Sequence, residues 1–207
     1  MKKLTILRTP ILILVLATFI AVSYLTTAVA LGVPVTPPAG STFDQRLDQR
    51  KKEQNEQLDA KTVKHLQSVC GTEQLSIRKL QPWTATVANK RTTTYQNVDG
   101  ILLISIGQLK LASQKTFELE QDRAALVQKI TTFQDTFANY QQVLGDILVI
   151  NCQADPIGFQ ALLDTARVYY TQLISQSGDI ATYVNNVLQP VMQNFVGILQ
   201  PKSNTDS

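Results

Sequence analysis

Histidine is nearly absent from this chain of 207 residues; His65 is the only one. That excludes poly-histidine metal sites and any mechanism that needs two imidazoles. There are only two cysteines, Cys70 and Cys152, too few for a cysteine-rich zinc or iron–sulfur centre. Net charge is also missing where it would count. The formal +3 is carried by Lys2, Lys3 and Arg8, ahead of a long apolar run. With those three set aside, the remaining basic residues equal the 16 acidic ones. A nucleic-acid binder relies on a clustered basic surface, and the body of this chain has none by count. No glycine-rich phosphate loop, His-x-x-x-His pair or glutamate-rich metal motif occurs. Nucleophilic catalysis needs a base beside Ser or Cys, and the one histidine stands alone in a charged segment. Asp155, Asp164 and Asp179 are the acids of the last helical segment; Asp155 reads as a cap and the other two as surface charges. The expectation is no enzyme, no cofactor, no metal site, no catalytic residue and no nucleic-acid partner.

What is present begins with an export signature. Residues 1–8 form a short basic region. Ile11–Val22 is apolar but for Thr18, and Ala28-Val29-Ala30 is a small-x-small cleavage pattern. Two readings of residues 1–30 stand side by side: a cleaved signal peptide, or a transmembrane anchor through residues 11–31, a charge-free stretch able to cross ~30 Å of hydrocarbon. Either way the positive charges stay inside and the rest of the chain faces outward. Residues 31–41 hold Pro34, Pro37 and Pro38 and read as a semi-rigid linker. Residues 42–69 mix acids and bases with few apolar side chains. They read as an exposed helical stalk, and Arg50-Lys51-Lys52 as part of its solvated face.

From residue 70 to 200 the apolar period is 3.6. One helical stretch spans about Thr72 to Leu111, with Leu75, Leu80, Trp83, Val87, Val98, Leu102 and Leu109 expected inward. It is expected to kink at Pro82 and to pass through Gly100. A second runs from about Thr116 to Ile150, marked by Phe117, Val127, Ile130, Phe133, Phe137, Tyr140 and Leu144, after a polar turn near Ala112–Lys115. A third opens on Asp155-Pro156, an N-cap followed by proline at the first helical position. It is carried past Gly178 by Phe159, Leu162, Ala166, Tyr170, Leu173, Ile180, Val184 and Val191. Pro190 should kink it or end its regular part. Residues 201–207 read as a disordered tail. In an oxidising compartment two cysteines suggest one disulfide. Cys70 and Cys152 are equidistant from residue 111, so a hairpin turning there brings them to the same height. The fold class expected is all-α: an elongated antiparallel three-helix bundle behind an N-terminal charged helical stalk.

One apolar cluster is more than a stripe. Ile101, Leu102, Leu103, Ile104 and Ile106 are apolar nearly all round the helix, near the distal tip of the hairpin. Val191, Met192, Phe195, Ile198 and Leu199 should end at the same tip. The cluster is either a wide local core or an exposed patch for a partner.

The arrangement resembles exported helical-bundle proteins of candidate-phyla, ultrasmall bacteria. The matching features are the N-terminal signal or anchor, the charged lead-in, Cys70 opening the hairpin, and the run Cys152-Gln153-Ala154-Asp155-Pro156 followed by Phe159, Leu162 and Ala166-Arg167. Tyr183 and Pro190 match as well. The resemblance covers most of the chain after residue 65. It implies fold and an extracytoplasmic location, secreted or anchored by the N-terminus, and carries over no functional residue. The function expected is a non-enzymatic envelope scaffold, spacer or adhesion module with a protein or envelope partner. The alternative is a periplasmic holdase-type chaperone with helical hairpin arms.

Overall fold

The computed structural model describes residues 34–54 and 58–199, with side chains to Phe195. The signal or anchor at 1–30, the side chains of Ile198 and Leu199, and the tail at 201–207 lie outside the described residues. The described chain is all-α: α1 (Phe43–Gln54), α2 (Ala60–Leu111), α3 (Phe117–Val149), α4 (Pro156–Tyr183), a π-helical turn (Val184–Leu188) and α5 (Gln189–Leu199). Among the described residues no helix is long and apolar enough to cross a membrane.

Each helix starts where its chemistry directs. Asp59 accepts from the Thr62 amide at 2.7 Å and opens α2; that bond holds its carboxyl below the usual range. Asp155 accepts from the Gly158 amide at 2.9 Å, with Pro156 at the first turn of α4, where a missing N–H costs nothing. α2 continues through Pro82 and Gly100 to Leu111. Pro190 acts differently. It cannot donate to the carbonyl four residues back, and the chain widens to a π turn just before it, with the Gln189 amide bonded to the Val184 carbonyl.

α2 and α3 run antiparallel. At one end Gln74 Nε2 donates to the carbonyls of Ile147 (2.8 Å) and Ile150 (2.9 Å), closing the last turn of α3. At the other, Arg123 pairs with Asp99 at 2.8 Å. α4 runs back along α3, with Gln176 on Thr136 (3.0 Å) and Tyr183 on Asp122 (3.1 Å). Cys70 and Cys152 form a disulfide, Cα to Cα 5.9 Å, and both are buried. The core beside it includes Leu144, Ile147, Phe159 and Leu162, and Leu126 and Phe133 carry it toward the far end of α3.

Four expectations are corrected. The segment 42–69 is not one solvated stalk. α1 lies on α4 with Phe43, Leu47 and Arg50 turned inward, and α2 starts ten residues before Cys70. The reason is spacing: 43, 47 and 50 share one helical face, and a guanidinium is buried once its donors are satisfied. Second, the first half of α2 packs in a different phase, while Leu102 and Leu109 face inward as expected. Leu75 and Trp83 are exposed, while Ile77, Thr84 and Ala88 face in. Large apolar residues are sparse on this part of α2, and the small residues Thr84 and Ala88 take inward places. Third, Phe117 is exposed and Leu119 takes the inward place in the first turn of α3. Fourth, Asp164, expected on the surface, is buried between Gln160 and Arg167.

Two outcomes follow from this packing. The Cys70–Cys152 bridge closes a separation of 82 residues. Replacing both with Ser should lower stability by about 4 kcal/mol in the chain-entropy treatment, read as a lower urea midpoint under oxidising conditions. The second concerns alkali. Burial and the neighbouring Tyr170 push Tyr140 up to about 12. Burial and hydrogen bonding to Asp122 push Tyr183 up to about 12. Both phenols ionise more readily unfolded, from about pH 10. Their contribution is therefore whole below pH 10 and is lost as pH rises toward 12. Urea midpoints should fall across that window, and Tyr183→Phe should flatten the fall.

Candidate functional site

Two surfaces bear on function: a polar junction where α1 meets the proline segment, and the apolar face at the far end of the α2–α3 hairpin.

The junction is organised by two arginines. Arg50 is only 1 % exposed. Its Nη1 donates to the Val35 carbonyl (2.7 Å) and to Glu53 Oε2 (2.9 Å), its Nη2 to the Tyr169 hydroxyl (3.3 Å), and its plane lies 5.7 Å from the Tyr169 ring centre. Glu53 in turn accepts from the Val35 amide at 3.3 Å. Both backbone groups of Val35 are thus taken by side chains of α1. Arg46 grips Asp146 of α3 with two nitrogens and donates to the Ser41 carbonyl. The Asp146 carboxylate raises the Arg46 pKa further above its ordinary value. Pro34 and Pro37 are buried, and Gly40, at φ 82°, supplies the left-handed residue that turns the strand into α1. The described part of the proline linker, 34–41, is therefore bound along the helices and is not a free spacer.

α1 sits close because Gly158 has no side chain. A Cβ there would come within 2.9 Å of Leu47 Cδ1 and 2.6 Å of Asp155 Oδ2. Lys51 completes the contact as an ion pair with Asp155. Of the triad Arg50-Lys51-Lys52, read from sequence as one solvated face, Arg50 is in the core and Lys51 is paired.

Beyond Pro34 a shallow polar groove of about 500 Å³ runs between α3 and α4, lined by Thr132, Asp135, Asn139, Gln172 and Gln176. The buried carboxylates nearby are committed. Asp146 is held by Arg46, and Asp164 by Gln160 and Arg167. A general acid or base needs a reachable, uncommitted carboxyl, and these two are closed by their partners.

The distal face is built otherwise. From Gly100 to Leu109 the sequence has no charge. The structure divides the expected cluster. Leu102 and Ile106 are core; Val191, Met192 and Phe195 are half-buried against it. Ile101, Leu103 and Ile104 project outward, between 53 % and 64 % exposed. Leu111 at 89 % and Phe117 at 69 % extend the apolar surface on either side of the connecting turn. Neither was included when the cluster was read from sequence. Leu111 follows from Ile104 at a spacing of seven, and that heptad step was the available signal. Lys110 is drawn to Glu120 at 2.8 Å across the turn, which holds the Glu120 carboxyl below the usual range.

No protein-family model, curated protein or solved structure matches the chain.

The junction yields one expected outcome. Arg46→Met leaves Asp146, 5 % exposed, buried without its guanidinium. Removing one partner of such a pair should cost about 3 kcal/mol. The paired change Arg46→Met with Asp146→Leu should recover most of it, as measured by urea unfolding.

Proposed function

We propose that this chain is an exported, non-enzymatic envelope protein. Three long helices, α2, α3 and α4 with its continuation, form an elongated antiparallel bundle with α1 laid against it. The bundle acts as a scaffold, spacer or adhesion module, and the distal face is its docking surface. The observation that carries the reading is the exposure of Ile101, Leu103 and Ile104 on a charge-free stretch, extended by the exposed Leu111 and Phe117 beside the connecting turn. Large apolar side chains gathered on a rigid helix favour association over solvent exposure. A compartment follows from the opposite end. A bonded Cys70–Cys152 pair is what an oxidising environment leaves in place. Residues 1–30 would supply the export signal, with residues 11–31 a membrane contact if they are retained. The likeness to exported bundle proteins of ultrasmall bacteria points the same way.

The test is made on cells. Intact cells expressing the full chain are treated with an impermeant protease, and the thiols are probed with a maleimide reagent before and after reduction. Export predicts protease access from outside and thiols that react only after reduction. A chain protected inside the cell, with both cysteines freely reactive, would overturn the reading.

A further inference from the structure

The exposed face of α2 has an internal order that its own fold does not use. Successive residues advance 100° around a helix, so Gly100, Ile104, Gly107 and Leu111 fall in one line at steps of four, three and four. That is the spacing of a coiled-coil seam. The line lies opposite the buried residues Leu102, Ile106 and Leu109. Leu103 flanks it on one side, Ile101 and Gln108 on the other. Glycine inside a helix is unfavourable relative to alanine. At both Gly100 and Gly107 an added Cβ would meet nothing within 4 Å. Packing within the chain therefore gives no reason for either glycine. An approach from outside does.

We propose that this face pairs with a second copy of the chain, antiparallel, about a two-fold axis between Ser105 and Ile106. The proposal rests on the docking role assigned above and names the partner. Under that axis residue 104 meets 107 of the other copy, and 100 meets 111. Every large side chain of the seam then faces a glycine: Ile104 enters the gap at Gly107, and Leu111 the gap at Gly100. The surface is complementary to itself, which is the requirement of an isologous dimer. No like charges are opposed: Gly100–Leu109 carries none, and Lys110 comes level with Ile101 of the other copy. With its flanking residues the face offers roughly 500 Å² per copy, about 1,000 Å² in a pair, at the lower end for a specific interface. Association in the micromolar range is expected. A lipid surface fits less well. Around the tip Lys110, Lys115 and Arg123 are offset by Asp99, Glu118, Glu120 and Asp122, so no basic rim draws the face to anionic lipid.

The test is sedimentation equilibrium of the full chain in density-matched detergent, with every variant carrying the same N-terminus. Wild type should show a monomer–dimer equilibrium. Gly107→Ile fills the gap that receives Ile104 and should weaken association at least about tenfold, a change of about 1.4 kcal/mol or more. Adding Ile104→Gly to Gly107→Ile exchanges the large and small positions across the axis and should restore most of the association. Gly100→Ala with Gly107→Ala should raise the thermal midpoint, since both sites are open helix positions, while weakening the dimer. That divergence separates the seam from a folding effect. A wild-type chain monomeric into the hundred-micromolar range, or a dimer indifferent to Gly107→Ile, would overturn the pairing. So would Ile104-dependent binding to phosphatidylcholine vesicles by a monomer. An exported, oxidised monomer would sink this inference alone. A dimer retained inside the cell with reactive thiols would sink the export reading alone.

Discussion

The register of the α2–α3 hairpin is set where Cys70 meets Cys152. The bridge holds α2 against the end of α3, and the side chains nearest to it reinforce the same alignment. Gln74 closes the final carbonyls of α3, and Gln67 and Gln153 exchange bonds across the gap, at 2.9 and 3.2 Å. From there the levels are determined. Asp99 comes opposite Arg123 and Tyr95 meets Phe133 edge to face, ring centres 5.6 Å apart. A shift of one turn at the bridge would separate each of these pairs. α4 inherits the same reference, because Asp155 stands three residues after Cys152.

The periodic signal was strongest where the chain is most apolar. The extent of α3, the turn between α2 and α3, and the Asp155-Pro156 start of α4 were legible because Leu, Ile and Phe recur there at helical spacing, whereas the end of α4 at Tyr183 was not. It failed where polar residues do the packing. Arg50 looked like surface charge, since a sequence does not reveal that the Val35 carbonyl, Glu53 and the Tyr169 hydroxyl will converge on one guanidinium. Asp146 and Asp164 were hidden for the same reason. In α2 the few large apolar residues lie on more than one side. Leu75 and Trp83 therefore pulled the expected face away from the one that Ile77, Thr84 and Ala88 define. The distal cluster was visible as apolar all round, yet pattern alone does not divide such a cluster. Only the position of α3 decides that Leu102 and Ile106 are covered and Ile104 is not.

The two ends of the hairpin are built on opposite principles. At the cysteine end polar groups are buried and nearly all are engaged, as in the Arg46–Asp146 pair and the ring of acceptors around Arg50. Such networks fix a single geometry, because each missing bond is costly in a water-poor interior. At the distal end apolar groups are exposed, and nothing among the described residues covers them.

The π turn at Val184–Leu188 adds one residue to a helical turn without breaking the rod. Each α-helical residue is worth about 100° of rotation, so with one residue absorbed in the turn everything after it is wound less far round than an unbroken α-helix would place it. Leu188 is buried in consequence, and Val191, Met192 and Phe195 return to the core side beyond Pro190. The orientation of α5 is thus a matter of counting. Loss of a single residue from this turn would let the helix close regularly and leave α5 facing the core, whereas closing it as regular α-helix at full length would carry the apolar face of α5 away by about 100°.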